Sequence, residues 1–446
     1  MGEQLLFDLR IITKLQLRLQ YPYLVFVKME DWKQKFALPT RFKQQKLVRW
    51  EECPPSHIST HHVDLWRGCP DYLHSPEFVT ALKEVVKSGD VALHQYTKGV
   101  GHPRLVSVLA KIYSNLLKRC IDPFDNILVC MDIYGAMTNT ILSHITNGDE
   151  VIIVQPSSDF YEYIVGVAGG VTKFVPLRLK ENVTTPSSGD WVLEDLELEK
   201  MFTSKTKLII LSSPNCHVGK VYTLKELETI SRLCKMWNVV CVSDESEEFL
   251  VYQPQRFIRI ASLPEMWERT ITIGSFDTTF FLKGWKIAWA YGPSNLIGNL
   301  QTVHLNSIMT CPTQSQEAIA LIFEKKLENL GINAVLFGDI AKSLLPKMQL
   351  MFDILSKVGL NPIQSDSGVY IITNTSNLDQ SIDYSKYKDF VGWLAENVHI
   401  QAVPLQMFYK DGTCFKHFVR FCFNRKEDTL TLARDLLEKK FKLKTK

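Results

Sequence analysis

From residue 126 onward, short apolar runs rich in β-branched residues alternate with longer stretches whose apolar positions recur at helical spacing. The runs are NILVC from 126, EVIIVQP from 150, TKLIILSSP from 206, NVVCVSD from 238 and TITIGS from 270. Such runs suit strands buried on both faces, and the intervening patterns, beginning at Tyr134 after the first run and spanning 224–237 after the third, are the helices that cover them. The expected class is therefore α/β, with a mainly parallel sheet carrying helices on both faces. Beyond Pro293 the pattern turns helical over 294–306 and again through 357. Strands are expected at 368–374 and 418–423. These, with the N-terminal segment, predict a smaller α/β domain folded back on the first. At 446 residues the chain exceeds what one core usually supports. The division expected is 1–74 as an N-terminal segment of the small domain, 75–305 as the large domain and 306–446 as the C-terminal small domain.

The first seventy residues hold no parallel-sheet unit. Pro54-Pro55 and the polar stretch 56–62 form a connection. The opening, MGEQLLFDLRIITKLQLRLQ, mixes Leu and Ile with Arg10, Lys14 and Arg18 as a transit helix would, but Glu3, Asp8 and the lack of Ser favour an ordinary N-terminal helix. The cytoplasm is the expected compartment, with the mitochondrion as the alternative. The polar segment 181–190 is a surface insertion without chemistry. No apolar run reaches the roughly 18 residues of a membrane span. A net charge of +3 is small for this length and argues against a general nucleic-acid binder. Ten cysteines with no C-x-x-C pair and no Cys/His spacing of a zinc site read as reduced thiols, and no metal is expected.

The candidate chemistry centres on ITIGSFDTTFFLKGWKIAWA, residues 271–290. It reads as a strand ending at Gly274-Ser275, a turn, and Lys283-Gly284-Trp285-Lys286 leading into a second apolar strand. This string resembles the signature of the class I/II aminotransferases of fold type I, and specifically the kynurenine aminotransferase and cysteine-S-conjugate β-lyase family, which reads G-S-A-G-K-T-F-S-A-T-G-W-K here. The resemblance implies a pyridoxal phosphate enzyme whose lysine holds the cofactor as a Schiff base. Thr278 stands at that lysine's place. A hydroxyl can neither condense with an aldehyde to give an imine nor serve as the amine base that such a site needs.

Other strings continue the resemblance from about Val63 to the C-terminus. In HHVDLWRGCPD, from 61, Gly68 matches a glycine whose backbone lies beside the substrate; a tight-turn glycine is the alternative. In HQYTK, from 94, Tyr96 matches a tyrosine that reaches the cofactor phosphate of a neighbouring subunit; a tyrosine packed in its own loop is the alternative. Tyr134 and Gly135, opening a helix, match the family's Y-G-A, and a helix N-terminus supplies donors to a phosphate. Ser275 and Lys286 match its phosphate-binding serine and lysine. Asp244, ending a strand, matches the aspartate opposite the pyridine nitrogen, or else caps a turn. Arg420, in HFVRFCF, matches the arginine that takes the α-carboxylate. An arginine within an apolar strand needs an anionic partner, so a structural ion pair is its alternative.

The departures cluster on the cofactor. Cys216, in SPNCHVGK, replaces the asparagine that bonds the ring hydroxyl, and Glu247 replaces a tyrosine for the same oxygen. Ser158 replaces the aromatic residue that stacks on the ring. Asp132 and Ile133 replace two glycines before Y-G-A, and Asp277 replaces another beside the missing lysine. Lys283 is the nearest substitute lysine. The expectation is a degenerate member: pyridoxal phosphate, if bound, held noncovalently, and transaminase activity lost or severely impaired. An active transaminase or β-lyase acting on kynurenine, glutamine or related amino acids with a 2-oxo acid is the alternative. The expected ligand is a small amino acid or 2-oxo acid, and the expected assembly a homodimer or a heterodimer with an active paralogue.

Overall fold

The structure, a computed structural model, describes residues 62–441 apart from 182, 331–336, 377, 379–386 and 388. The expected N-terminal helix and nearly all of the 56–62 connection lie outside these residues. Strand β1 (Val63–Asp64) opens the described chain. An eight-stranded sheet follows, built from β2 (Ile127–Met131), β3 (Glu150–Gln155), β4 (Val171–Leu179), β5 (Trp191–Leu193), β6 (Thr206–Ser212), β7 (Val240–Asp244), β8 (Thr270–Ser275) and β9 (Ile287–Tyr291). Its order is β2-β9-β8-β7-β6-β3-β4-β5. The four central pairings, from β8 to β4, are parallel. β9 runs antiparallel to both its neighbours, and β5 antiparallel to β4. All five runs read from the sequence are strands of this sheet.

Strand alternation sends successive residues to opposite faces. Val151 and Ile153 of β3 join one apolar cluster with Ala136, Met137 and Ile141 of the helix Asp132–His144, while Ile152 and Val154 join another with Leu227, Ile230 and Leu233 of the helix Leu224–Trp237. The helices, in chain order, are α1 (Pro76–Lys87), α2 (Pro103–Leu117), α3 (Asp132–His144), α4 (Asp159–Val167) and α5 (Leu224–Trp237). Then come α6 (Phe276–Thr279), α7 (Ser294–Ser307), α8 (Thr313–Leu330), α9 (Gly338–Lys357), α10 (Phe390–Val398) and α11 (Glu427–Phe441). Helix α5 occupies the expected span because its ends are written locally. Thr223 and Glu226 cap each other's amides at the start, and Asn238 turns left-handed at the end (φ 51°).

A second sheet has the order β10-β11-β14-β13 and is antiparallel throughout: β10 (Pro362–Ile363), β11 (Tyr370–Asn374), β13 (Val403–Pro404) and β14 (Phe418–Cys422). β12 (Ile400–Gln401) pairs in parallel with β1. Register sets Arg420 of β14 opposite Ile372 and Val403.

Two local readings are corrected. Helix α3 begins at Asp132, two residues before the expected start, since the Asp132 carboxylate accepts the Gly135 amide (3.1 Å). The turn after Ser275 contains the short helix α6, with Ser275 Oγ accepting the Thr278 amide (3.1 Å). The segment read as a surface insertion is anchored near its end, where Ser188 Oγ donates to the Gly219 carbonyl and accepts the Asp366 amide, each at 2.7 Å. Among the described residues no helix is long and apolar enough to cross a membrane, and no His/Cys/Asp/Glu group is arranged to hold a metal.

Candidate functional site

In an open α/β sheet, ligands meet the carboxyl ends of the parallel strands. Asp244 is the last residue of β7 and is buried. Its carboxylate accepts the Tyr161 hydroxyl of α4 and the Ser246 amide (3.1 Å). Burial raises the Asp244 carboxyl, against the pull of those hydrogen bonds, and burial together with Asp244 pushes the Tyr161 phenol well up. Acid and phenol thus satisfy one another. Nothing in the local sequence pairs them, since 83 positions separate them.

A second corner forms where α3 starts and β9 begins. Asp132 (φ 57°) and Lys286 (φ 58°) both adopt left-handed backbone, and the Asp132 amide donates to the Lys286 carbonyl (3.2 Å). Their side chains ion-pair, Lys286 Nζ donating to Asp132 Oδ2, while Asp132 Oδ1 accepts the Gly135 amide. One carboxylate therefore holds the lysine and a helix N-terminal donor together. Tyr134 lies on α3 with its ring centroid 5.8 Å from Lys286 Nζ. Ser275 Oγ is spent on Thr278, donating to its hydroxyl at 3.3 Å and accepting its amide. Asp277 accepts the Ile287 amide (2.7 Å), and burial pushes its carboxyl up to about 7. Thr278 itself is half-buried.

The third corner belongs to the smaller sheet. Arg420 is 6% exposed and lies against two rings, 3.9 Å from the Tyr370 centroid and 4.3 Å from that of Phe408. One guanidinium nitrogen meets His217 Nδ1 at 2.9 Å. Burial and the neighbouring Arg420 hold the His217 imidazole well below its ordinary range, hence neutral. Arg420 Nε is buried without a hydrogen-bond partner. The structural ion pair left open for this arginine is not formed among the described residues.

Facing it, Tyr370 donates to the Trp66 carbonyl (3.1 Å), and a Cβ at Gly68 would stand 2.9 Å from the Tyr370 hydroxyl and 3.6 Å from Lys283 Nζ. Gly68 is thus glycine because other groups approach its backbone closely. Arg425, almost fully buried, clamps this loop by donating to the carbonyls of Asp64 and Cys69 (2.5 Å each) and of Arg67. Glu247 is buried, with Oε2 lacking a partner. Burial pushes its carboxyl up to about 7, while Lys283 and Arg420 pull it down. Beside it, burial and then Glu247 raise the Cys216 thiol.

Asp244, Cys216, Glu247, Lys283 and Arg420 thus share one electrostatic neighbourhood, with Gly68 and Tyr370 on its wall. Gly135 and Lys286 bond Asp132, with Tyr134 beside Lys286, while Ser275 and Thr278 bond each other at the start of α6. Tyr96 is 81% exposed and lines an open cavity with His94, Gln95, Met131, Cys311 and Thr313. Tyr161, His217, Tyr370, Phe408 and Arg425 were not singled out from the sequence. Only His217, next to Cys216 in the SPNCHVGK string, carried a local signal.

Known proteins bear on this arrangement. The sequence profile of the family described as Aminotransferase class I and II matches residues 60–437. Kynurenine--oxoglutarate transaminase 3 of Homo sapiens is 41% identical over 412 residues, covering 91% of this chain and 90% of that protein. Kynurenine--oxoglutarate transaminase 1 of Homo sapiens is 38% identical, covering 84% of this chain and 92% of the relative. Among solved structures, N-succinyldiaminopimelate aminotransferase from Mycobacterium tuberculosis superposes with a TM-score of 0.79 at 27% identity, covering 90% of this chain and 99% of that one.

Proposed function

Because this chain belongs to the class I and II aminotransferase family, we propose that it is a kynurenine aminotransferase-like protein whose transaminase activity is lost or severely impaired. The family implies pyridoxal phosphate, and the residues of this chain do not fit it. Thr278 offers no amine for covalent attachment. Asp132 occupies Lys286 and the Gly135 amide, so a phosphate entering there would meet a carboxylate on donors already spent. Asp244, the acid for a pyridinium nitrogen, is engaged with Tyr161. Glu247 sets an acid where the ring's phenolic oxygen would lie.

The observation that carries the reading is Thr278 at the lysine's position, sealed into the cap of α6 by Ser275. Loss of a positioned acid/base group alone costs roughly 10² to 10⁴ in rate. The test is turnover of kynurenine with a 2-oxo acid under excess added pyridoxal phosphate. No turnover above a protein-free control is expected, and turnover that Asp244→Ala abolishes would establish the working enzyme instead.

One observation favours that second reading: Lys283 Nζ would lie 3.6 Å from a Cβ at Gly68, and the lysine makes no ion pair among the described residues. A transaminase built on Lys283 would lose all turnover in Lys283→Ala. The exposure of Tyr96 supports a dimer in which it serves a second copy or a paralogue. Co-purification with only itself in the presence of an active paralogue would count against the mixed form.

A further inference from the structure

We propose that Glu245 binds a proton inside the folded protein and that this proton latches the turn 246–249 onto the large sheet, so that the turn carrying Glu247 loosens as pH rises. Such a latch would act whether or not a cofactor binds.

Three charged side chains are packed into the interior with one sign in excess. Glu248 commits both of its oxygens, Oε1 accepting the Tyr113 hydroxyl of α2 (2.6 Å) and Oε2 the Arg259 guanidinium. Trp289 of β9 fixes Tyr113 from another side, its Nε1 donating to the same hydroxyl (2.9 Å). Arg259 is thereby matched charge for charge. Glu245 is the second carboxylate, and its side chain is fully buried. Its Oε2 stands 3.6 Å from Arg259 Nε, too far for a hydrogen bond, and both atoms lack a hydrogen-bond partner. Among the described residues no other cation pairs with either carboxylate. An ionised Glu245 would leave a net negative charge in the interior, which is costly. A bound proton removes it.

The neighbours suit a neutral acid. Ser243 Oγ lies 3.0 Å from Glu245 Oε1, and a hydroxyl can donate to a carboxylate or accept from a carboxyl. Burial pushes the Glu245 carboxyl up to about 8; Arg259 and Ser243 oppose the rise, and Glu248 and Asp244 add to it. The other titratable neighbours bring no charge. A hydrogen bond with Cys234 raises the Cys241 thiol of β7, burial raises the phenols of Tyr113 and Tyr291, and all three stay neutral.

The turn hangs from this cluster. The Glu245 amide donates to the Ile273 carbonyl of β8 (2.8 Å), and the Glu248 amide donates to the Glu245 carbonyl (2.9 Å). Thr279 Oγ1 of α6 donates to the Ser246 carbonyl (3.2 Å), so the same turn meets the helix that carries Thr278. Opening the turn would put Glu245 in water, where its carboxyl loses the proton near 4.5. In the closed turn the proton stays on to about 8. The advantage of the closed turn is therefore full below about 4.5, is lost as pH rises towards about 8, and is level above it.

The test is hydrogen exchange of the amides of 245–250, read by mass spectrometry on the full-length protein, each rate divided by that of the unfolded chain at the same pH. Glu247 also sits on the turn, so the native protein is compared with Glu245→Gln. From about pH 6 to pH 7 the native turn should lose about tenfold more protection than the variant, the effect of one proton over one pH unit. Glu248→Gln leaves Arg259 to an ionised Glu245 and should abolish the same excess, so it replaces Glu245→Gln if that variant does not fold. A native turn whose protection is unchanged over this range overturns the proposal without recourse to a variant. So does an excess below about twofold over the variant, which would leave Glu245 a packing role and no latch.

Discussion

Asp132 carries a side chain at φ 57°, where glycine is the easy choice, and spends that side chain on Lys286 and the Gly135 amide. A phosphate oxygen would use the same donors, so in the proposed reading the carboxylate would compete with it for this corner. In absorbance titrations, native protein should bind pyridoxal phosphate and pyridoxal within about threefold of each other. Asp132→Gly, which frees both donors, should favour the phosphorylated form about tenfold or more. An unchanged ratio would show that the corner was never blocked. Glu247 and Asp277 supply a pH signature. Both carboxyls are raised to about 7 by burial, so each contributes stability that is full below its unfolded value near 4.5 or 3.8 and is lost as pH rises through about 7. Lys283, Arg420 and Asp244 face Glu247, and Asp132, Lys286 and Lys283 face Asp277. The melting temperature should therefore fall between pH 6 and pH 8, and fall less in Glu247→Gln. An identical slope in the variant would remove Glu247 from the account.

Among elements, the short helix α6 shows what local sequence could and could not convey. Its seat is a ring cluster in which Phe276 and Phe280 meet Phe78 at 4.8 and 4.7 Å and Phe323 at 6.5 and 5.6 Å between centroids. Phe78 and Phe323 come from α1 and α8, so the turn read at 276–282 becomes a helix through contacts no local pattern reveals. Phe323→Ala should cost about 3 to 5 kcal/mol by removing a buried ring, measured by urea unfolding; a loss under about 1 kcal/mol would mean that the cluster is loosely packed. Helix α5 is the contrary case. Its capping box and left-handed Asn238 are written within the segment, and its ends were legible from it. Thr223→Ala should cost about 1 kcal/mol.

For the whole molecule, the legible part was the sheet and the identity of the strand-end residues. Short β-branched runs predicted its strands, and Asp244 and Ser275 end two of them. What stayed hidden were the partners that decide each residue's state: Tyr161 on Asp244, Asp132 on Lys286, and His217 with Phe408 on Arg420. They lie 83, 154, 203 and 12 positions away in the chain, and only folding brings them together. Arg425, holding the Gly68 loop through three carbonyls, was hidden for the same reason. Similarity to kynurenine--oxoglutarate transaminases supplies the family and the fold, and the proposed loss of activity rests on the local departures.

The central claim, that the covalent cofactor link is gone, is tested most directly by incubating the protein with pyridoxal phosphate, reducing with borohydride and mapping labelled lysines by mass spectrometry. The account predicts only scattered, substoichiometric labelling of surface lysines. A stoichiometric adduct at Lys283 would contradict it and would make the chain a working transaminase with a displaced lysine.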